Sequence, residues 1–453
     1  DSLWVNYNPK LFLDKSIKNI NSNLGLFLSD NNNNYQKLNN SLNSFDSSAK
    51  IYEVGNSFWV TNLGFGIKIL DKKNNYQSAR TILKNIKTTT AFIDLENNIW
   101  VGSQSNGVFL FPNLNVSGFQ LENPRRNDLH SINEFNNDIV LGNELSEIIV
   151  LDKNTLEPKF TKIIENYSKN IRQLKKNNEE LYIVSEFNLH KMDKSFKIKE
   201  TKDMFSSDFQ ATDVKNFKQI TFKKDTILTA NANGIAHITI PNNNVKRIWN
   251  KRSSSILQVG NDSLWVGTTA GLYLKTNGNF EKFNLNNDFN NSILYDLKNS
   301  KHGILIASNS YGLGILNKKG FQEIAVSDGL LSNYIKSIHV DSNNTIWLSS
   351  NLGLNKLVLN SSRKIENISS YTTSDGLYSN DVRATYVDNL NQKAYAATAN
   401  GLNIIDISKN ASVANPPKII ITKKLVNNAL LTANHNPEFK YNLNNFQFNF
   451  SGI

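Results

Sequence analysis

The chain has no cysteine, which excludes a disulfide framework and any thiolate-based metal or redox centre. Its six histidines (His130, His190, His237, His302, His339 and His435) stand apart, without the H-E-x-x-H spacing that puts two ligands on one helix face. No serine sits in a G-x-S-x-G elbow and no G-x-x-x-x-G-K loop is present to cradle phosphates. No apolar run approaches the roughly 18 to 20 residues that a membrane helix needs. The basic excess, net +11, is not blocked: lysines are spread along the whole length apart from pairs such as Lys72-Lys73, Lys175-Lys176 and Lys223-Lys224. Nucleic-acid binders concentrate charge on one face and interleave it with stacking aromatics. A solvated basic surface is therefore the expectation, with no direct nucleic-acid contact.

What the chain does have is repetition. The clearest copies read NNIWVGSQSNGVFLF (97–111), DSLWVGTTAGLYL (262–274) and NTIWLSSNLGLNKL (344–357). Aligning the large residue of each copy gives anchors at Trp4, Trp59, Trp100, Val140, Tyr182, Leu228, Trp265, Leu305, Trp347 and Tyr395. A period near forty residues with strand-like runs and a Gly turn in each copy is the signature of a β-propeller blade. About one residue in six is Asn, and the Asn tracts fall between apolar runs, where Asn suits tight turns. The predicted fold is all-β: four-stranded antiparallel blades that pack only on their neighbours, so length grows without a thicker interior.

The best copy, residues 327–359, predicts strands around Ile335–Val340, Ile346–Leu348 and 354–359, with an outer strand at Ile365–Tyr371. The recurring Gly (Gly66, Gly107, Gly234, Gly271, Gly312, Gly353, Gly401) reads as a positive-φ turn or a close packing point, and the anchor aromatics as packing between sheets. Copies at Val140 and Tyr182 are degenerate but keep the apolar alternation. The chain opens inside a repeat at Asp1 and stops within a strand-like run, so it reads as a piece of a longer protein whose exposed terminal repeats lower its stability.

The segments SDGLLSNYIKSIHVDSNNTIWLSSNLGLNKL and SDGLYSNDVRATYVDNLNQKAYAATANGLNII resemble the two-component regulator propeller repeat: a G-L-x-S/N opening, an apolar strand ending in Asp, an apolar-aromatic step, then Gly-Leu. The match is specific at the copies near Asn98, Ser263, Ser327 and Ser374. Residues 416–453, beginning Pro-Pro, are similar to the start of the Y-Y-Y immunoglobulin-like domain that follows such propellers. The resemblance implies partial N-terminal blades over 1–120, a seven-bladed propeller over 121–415 and a β-sandwich fragment over 416–453. An alternative is one larger or open array. It also implies a periplasmic, ligand-sensing region of a two-component-type regulator. Its ligand would be a small molecule or oligosaccharide from glycan breakdown, its output a kinase or DNA-binding segment, and its membrane anchor would lie outside this segment. The full-length protein is expected to be a homodimer.

No cofactor or metal site is expected. The Asp341 to Asn344 turn lacks the distal Glu of a calcium loop. A propeller enzyme acting on polysaccharide needs converging carboxylates, and the recurrent Asp94, Asp341 and Asp388 fall at strand ends facing turns. Catalysis is not expected; a polysaccharide-acting enzyme and a protein-interaction scaffold are the alternatives. Ligand binding is assigned to the loops of one propeller face: Arg383 first, then Asn380, Asn333, Tyr334, Asn351, Asn309, Tyr311 and Asn400. Amides, Arg and Tyr there suit sugar hydroxyls and a flat sugar face.

Overall fold

A computed structural model describes three short strands before residue 50 and, from 50 to 452, all but short stretches, the longest at 204–216, 409–418 and 431–444. Trp4, Asp94 and His435 lie outside the described residues. Among the described residues, eight sheets are four-stranded. Seven of them form a ring, blades 1 to 7, over residues 129–163, 173–203, 217–249, 253–282, 294–324, 335–371 and 382–406. The inner strand of each blade lies beside that of the next, and the blade 1 inner strand also lies against that of blade 7. The fold is a closed β-propeller. In blade 6 the four strands are Ile335–Val340, Ile346–Ser350, Leu354–Leu359 and Ile365–Tyr371. They match the predicted ones closely, because alternating apolar residues leave no other register that buries one face.

Blade 7 is built from both ends of the ring. Its sheet has three strands within 382–406 and an outer one, Val116–Phe119, supplied from ahead of blade 1. The ring therefore begins before the boundary at 121 drawn from the repeat. A four-residue strand with no anchor of its own leaves too little pattern to be counted as part of a blade. The exchange closes the ring with backbone hydrogen bonds, and Gly118 makes it fit. A Cβ at Gly118 would come within 2.3 Å of the Tyr378 ring and 2.7 Å of the Leu402 carbonyl oxygen.

Each of the seven junctions has its own apolar core, and every anchor reaches into the junction with the following blade. Val140 joins the core between blades 1 and 2, Tyr182 that between 2 and 3, Leu228 between 3 and 4 and Trp265 between 4 and 5. Leu305, Trp347 and Tyr395 continue the series, the last closing onto blade 1. Burying a side chain of this size stabilises by about 1.5–3 kcal/mol. The Trp347 indole also donates to Asp341 Oδ2 at 3.1 Å, while Asp341 Oδ1 accepts from the backbone of Asn343 and Thr345, so one carboxylate ties the turn to the core. The recurring glycines adopt positive φ. At Gly353, with φ +135°, a Cβ would also meet the Tyr371 carbonyl oxygen at 2.4 Å, so both the turn and the packing demand glycine. Blade 1, which lacks the glycine, places Ser146 at φ 60° in the corresponding turn.

Ahead of the ring, residues 50–82 form a four-stranded sheet and residues 88–111 a three-stranded one. Trp59 is buried between them. Trp100 departs from the expected packing and is 39% exposed. The rule seen in the ring explains this: an anchor packs on the next blade, and the next described strand, Val116–Phe119, belongs to blade 7. The C-terminal residues form a three-stranded sheet of Ile419–Val426, Ala429–Leu430 and Phe446–Gly452. Among the described residues no helix is long and apolar enough to cross a membrane.

Two expectations follow for stability. Trp347→Ala should cost about 3–5 kcal/mol, and Trp100→Ala clearly less because its side chain is 39% exposed, both read from chemical denaturation midpoints. Gly118→Val should destabilise the ring by about 1–3 kcal/mol through overpacking at the closure; an unchanged midpoint would mean that this strand exchange contributes little.

Candidate binding site at the mouth of the central channel

The inner strands share a local irregularity. In six of them one residue near the start is skipped in the pairing: the register shifts between Leu129 and Ser131, Phe217 and Gln219, Ser253 and Ser255, Leu294 and Asp296, Ile335 and Ser337, and Val382 and Ala384. The skipped residues are His130, Lys218, Ser254, Tyr295, Lys336 and Arg383. Arg172 takes the corresponding place in blade 2, just ahead of the strand Gln173–Asn177. A bulge leaves one residue out of the ladder and re-aims its side chain. All seven of these residues are half-buried, and each follows a buried residue. Together they mark one end of the channel enclosed by the inner strands.

The residue after each bulge stitches the ring. Ser131 Oγ donates to the Ile171 carbonyl (2.8 Å), Ser255 Oγ to Leu294 (3.1 Å) and Ser337 Oγ to Arg383 (2.9 Å). Gln173 Oε1 accepts from Ile220 N (2.8 Å), Gln219 Oε1 from Ile256 N (3.3 Å) and Asp296 Oδ2 from Ile338 N (2.8 Å). Only the junction of blade 7 with blade 1 has Ala384 at this place, which has no group to donate or accept. There Arg383 itself bridges: its Nη1 lies 2.9 Å from Asp128 Oδ1 and within hydrogen-bond reach of the His130 ring, while Nη2 is 3.5 Å from Asp381.

Around Arg383 the mouth is densely charged. Lys336 pairs with Asp381, and its ammonium lies over the Tyr334 ring, 5.6 Å from the centroid. Tyr334 stands 5.4 Å from Tyr295, ring to ring. Burial, then the hydrogen bond with Tyr295, pushes the Tyr334 phenol up to about 12, so it stays a neutral donor. Burial would raise the Asp128 carboxyl, but His130 and Arg383 outweigh it and hold it below the ordinary carboxylate range. Asp128, His130 and Glu144 offer donor atoms within 4.8 Å of one another. Arg383 already occupies that group, so a cation entering it would meet the guanidinium.

Deeper in the channel Asp296, almost fully buried, accepts from Lys298 Nζ and Gln219 Nε2, both at 2.9 Å. Gln219 comes from blade 3 and Asp296 from blade 5, so this bond reaches past blade 4. Lys175 adds a second ammonium; burial and the Lys298 charge pull it down to about 8, against the opposing Asp296. His339 faces the edge of Tyr386 at 5.9 Å. Burial, reinforced by Lys298, pulls its imidazole down to about 4.

Of the residues chosen from sequence, the structure brings Arg383 and Tyr334 to this mouth. The amides are engaged in loop hydrogen bonds. Asn380 Oδ1 accepts from Thr373 N (2.7 Å) and Asn333 Oδ1 from Val326 N (2.9 Å), equivalent bonds in successive repeats. Asn309 Oδ1 accepts from Ser292 Oγ (3.1 Å), and Asn351 Oδ1 from Ser332 Oγ (2.8 Å). Asn400 reaches the Tyr378 carbonyl at 3.5 Å, and the Tyr311 ring packs 5.8 Å from Phe289 in the core between blades 4 and 5. Sequence reasoning missed His130, Arg172, Lys218 and Lys336. A signal for them existed, since each bulge residue lies ten to twelve residues before its anchor.

Residues 329–351 match the family model of the two component regulator propeller. The chain carries that repeat. The propeller is also similar to solved structures from B. thetaiotaomicron. One is the extracellular domain assigned to hybrid two component system BT3049, at 19% identity and TM-score 0.69, covering 96% of this chain and 62% of that one. Another is the extracellular domain assigned to hybrid two component system BT4673, at 14% identity and TM-score 0.51, covering 90% and 58%. The chain thus spans about three fifths of the length of either structure, and at these identities the likeness shows the propeller fold. No curated protein matches the chain.

The His339 imidazole gives this propeller a defined acid response. Unfolded His339 takes up its proton near 6.5, whereas the folded one resists until about 4. Stability is therefore lost as pH falls through that window, because the unfolded chain binds more protons. Replacing His339 by Asn should flatten the slope of unfolding free energy between pH 6.5 and 4, by roughly 1–3 kcal/mol over the window.

Proposed function

We propose that this chain is the ligand-sensing part of a two-component-type sensor regulator, working outside the cytoplasm in the periplasm. It binds an oligosaccharide released in glycan breakdown and signals to a kinase or DNA-binding output. The observation that carries this reading is a two component regulator propeller repeat set in a closed ring whose channel mouth presents seven half-buried residues, six of them at bulges. The names of the two B. thetaiotaomicron structures, extracellular domains of hybrid two component systems, point the same way. Tyr295 and Tyr334 offer flat faces for a sugar ring and hydroxyls for its polar edge. Lys336 and Arg383 add donors beside them.

Binding is favoured over turnover by the state of the carboxylates at the mouth. A glycosidase needs one carboxylic acid kept protonated by a raised pKa. Asp128 is held low instead, and Asp381 is paired with Lys336 and Arg383. We further propose the division into partial N-terminal blades, the seven-bladed ring and, from 416, the start of a Y-Y-Y immunoglobulin-like domain. Phe446, Phe448 and Phe450 support the last part: they alternate along one strand and are about half exposed or more, as on a sandwich face that a second sheet covers. Homodimer formation belongs to the full-length protein in this reading.

A panel of oligosaccharides tests it. At least one should raise the melting temperature with no release of new reducing ends, and Tyr334→Ala should weaken that ligand by about 0.5–1.5 kcal/mol through the lost aromatic face. Release of reducing ends would transfer the protein to the enzymes. Silence across the panel would leave a protein-interaction scaffold.

A further inference from the structure

The charges around the channel mouth are not evenly balanced. Lys336 is answered by Asp381, and Arg383 by Asp128 and Asp381. On the opposite arc, formed by blades 2, 3 and 4, Arg172 is answered by Glu186, with Nη2 3.2 Å from Oε1. Lys218, the bulge residue of blade 3, has no ion-pair or hydrogen-bond partner among the described residues, and its charge is felt by both Arg172 and Arg252. Burial, and then these two cations, pull the Lys218 ammonium down to about 8 against the weaker pull of Glu186. The Arg172 Nε is itself buried with no hydrogen-bond partner. At Lys218 the charges of three cations, its own included, thus outweigh one carboxylate, and two buried or half-buried donors lack acceptors among the described residues. Such an arrangement is costly without a ligand, since like charges repel and an unmade bond leaves the donor's desolvation cost uncompensated. An entering anion relieves both.

We infer that the Arg172–Lys218–Arg252 arc is an anion subsite that holds a carboxylate or sulfate group of an acidic saccharide. It rests on the sensing role proposed above for the nature of the ligand, and on the geometry for the charge. The bulge explains why the subsite sits here: in six inner strands it turns the second residue out of the ladder, and in blade 2 Arg172 takes that place just ahead of the strand. The ring thus offers seven side-chain positions whose chemistry varies without disturbing the blades. In blades 5 to 7 those positions are tyrosine or neutralised cations; in blades 2 and 3 the positive charge is left in excess. An acidic oligosaccharide spanning the mouth would stack on Tyr295 and Tyr334 at one end and anchor its charged group at the other.

The test uses the whole chain and isothermal titration with three probes of equal length: an oligogalacturonide, a sulfated oligosaccharide and a neutral glucan. The carboxylate and sulfate arms identify which acid is preferred. At least one acidic probe should bind tenfold or more tightly than the glucan, weaken with added salt and weaken as pH rises from 7 to 9.5. Lys218→Met should abolish that preference, with unchanged circular dichroism. The solvent-exposed Arg252→Gln serves as a second variant that does not touch the core and should reduce the preference several-fold. Equal affinity for acidic and neutral probes, or full acidic affinity in both variants, would overturn the subsite and leave the sensing role standing. Failure of every saccharide to bind, combined with a Lys218-dependent rise in melting temperature in inorganic sulfate, would do the reverse. No response to any anion overturns the inference.

Discussion

Ring closure is the constraint on which the rest depends. A blade exposes an apolar face toward each neighbour, and a linear array would leave two such faces in water. Here Val116–Phe119 pairs with Gly401–Asp406, so that the last blade contains chain from before the first. The anchor Tyr395 can then be buried against Leu129, Ile139 and Ile149 of blade 1. Without this pairing, blade 7 loses its outer strand and the junction with blade 1 loses its only covalent link to the start of the ring. The tie thus supports the contact between the first and last inner strands, together with the apolar core and the Arg383–Asp128 pair at that junction.

The inner strand does two jobs with adjacent residues. The bulge residue leaves the ladder and half faces solvent, whereas the next residue crosses to the neighbouring blade and accepts or donates a hydrogen bond there. Each such bond is worth about 1 kcal/mol. Separation of the two roles by one position lets the mouth vary from His130 to Tyr295 to Arg383 while the stitching residues stay Ser, Gln or Asp. Blade 7 is the informative exception. With Ala384 unable to stitch, Arg383 takes the bridge to Asp128 of blade 1. One side chain then both holds the ring together and lines its mouth, so a substitution at Arg383 perturbs stability and binding together, unlike one at Lys218.

Much of this was legible because repetition writes the same physical demand many times. Anchor spacing, the Gly turns and the alternation in 335–371 all report blade packing, and seven anchors reappear in seven separate junction cores. The strand Val116–Phe119 was not legible as part of blade 7, because a pairing across nearly 300 residues leaves no local mark. Nor was the exposure of Trp100, which depends on what packs on it rather than on the residue itself. The loop amides looked like sugar ligands by type. Their Oδ1 atoms are taken up by backbone and hydroxyl donors 7 to 19 residues away, a partition that residue type cannot disclose.

The electrostatics of the channel are dominated by cations that are poorly solvated or short of partners. Asp296 gathers Lys298, Gln219 and the Ile338 amide, which leaves it few free acceptor positions. Lys175 beside it and Lys218 above are both pulled down to about 8, so each stays mostly protonated at neutral pH while its charge is poorly solvated. The channel is therefore positive from its mouth inward, lined by strands that backbone pairing and inter-blade bonds hold in place. A rigid ring of this kind pays little ordering entropy when an anion arrives, and the gain comes from charges that were already in position and short of partners.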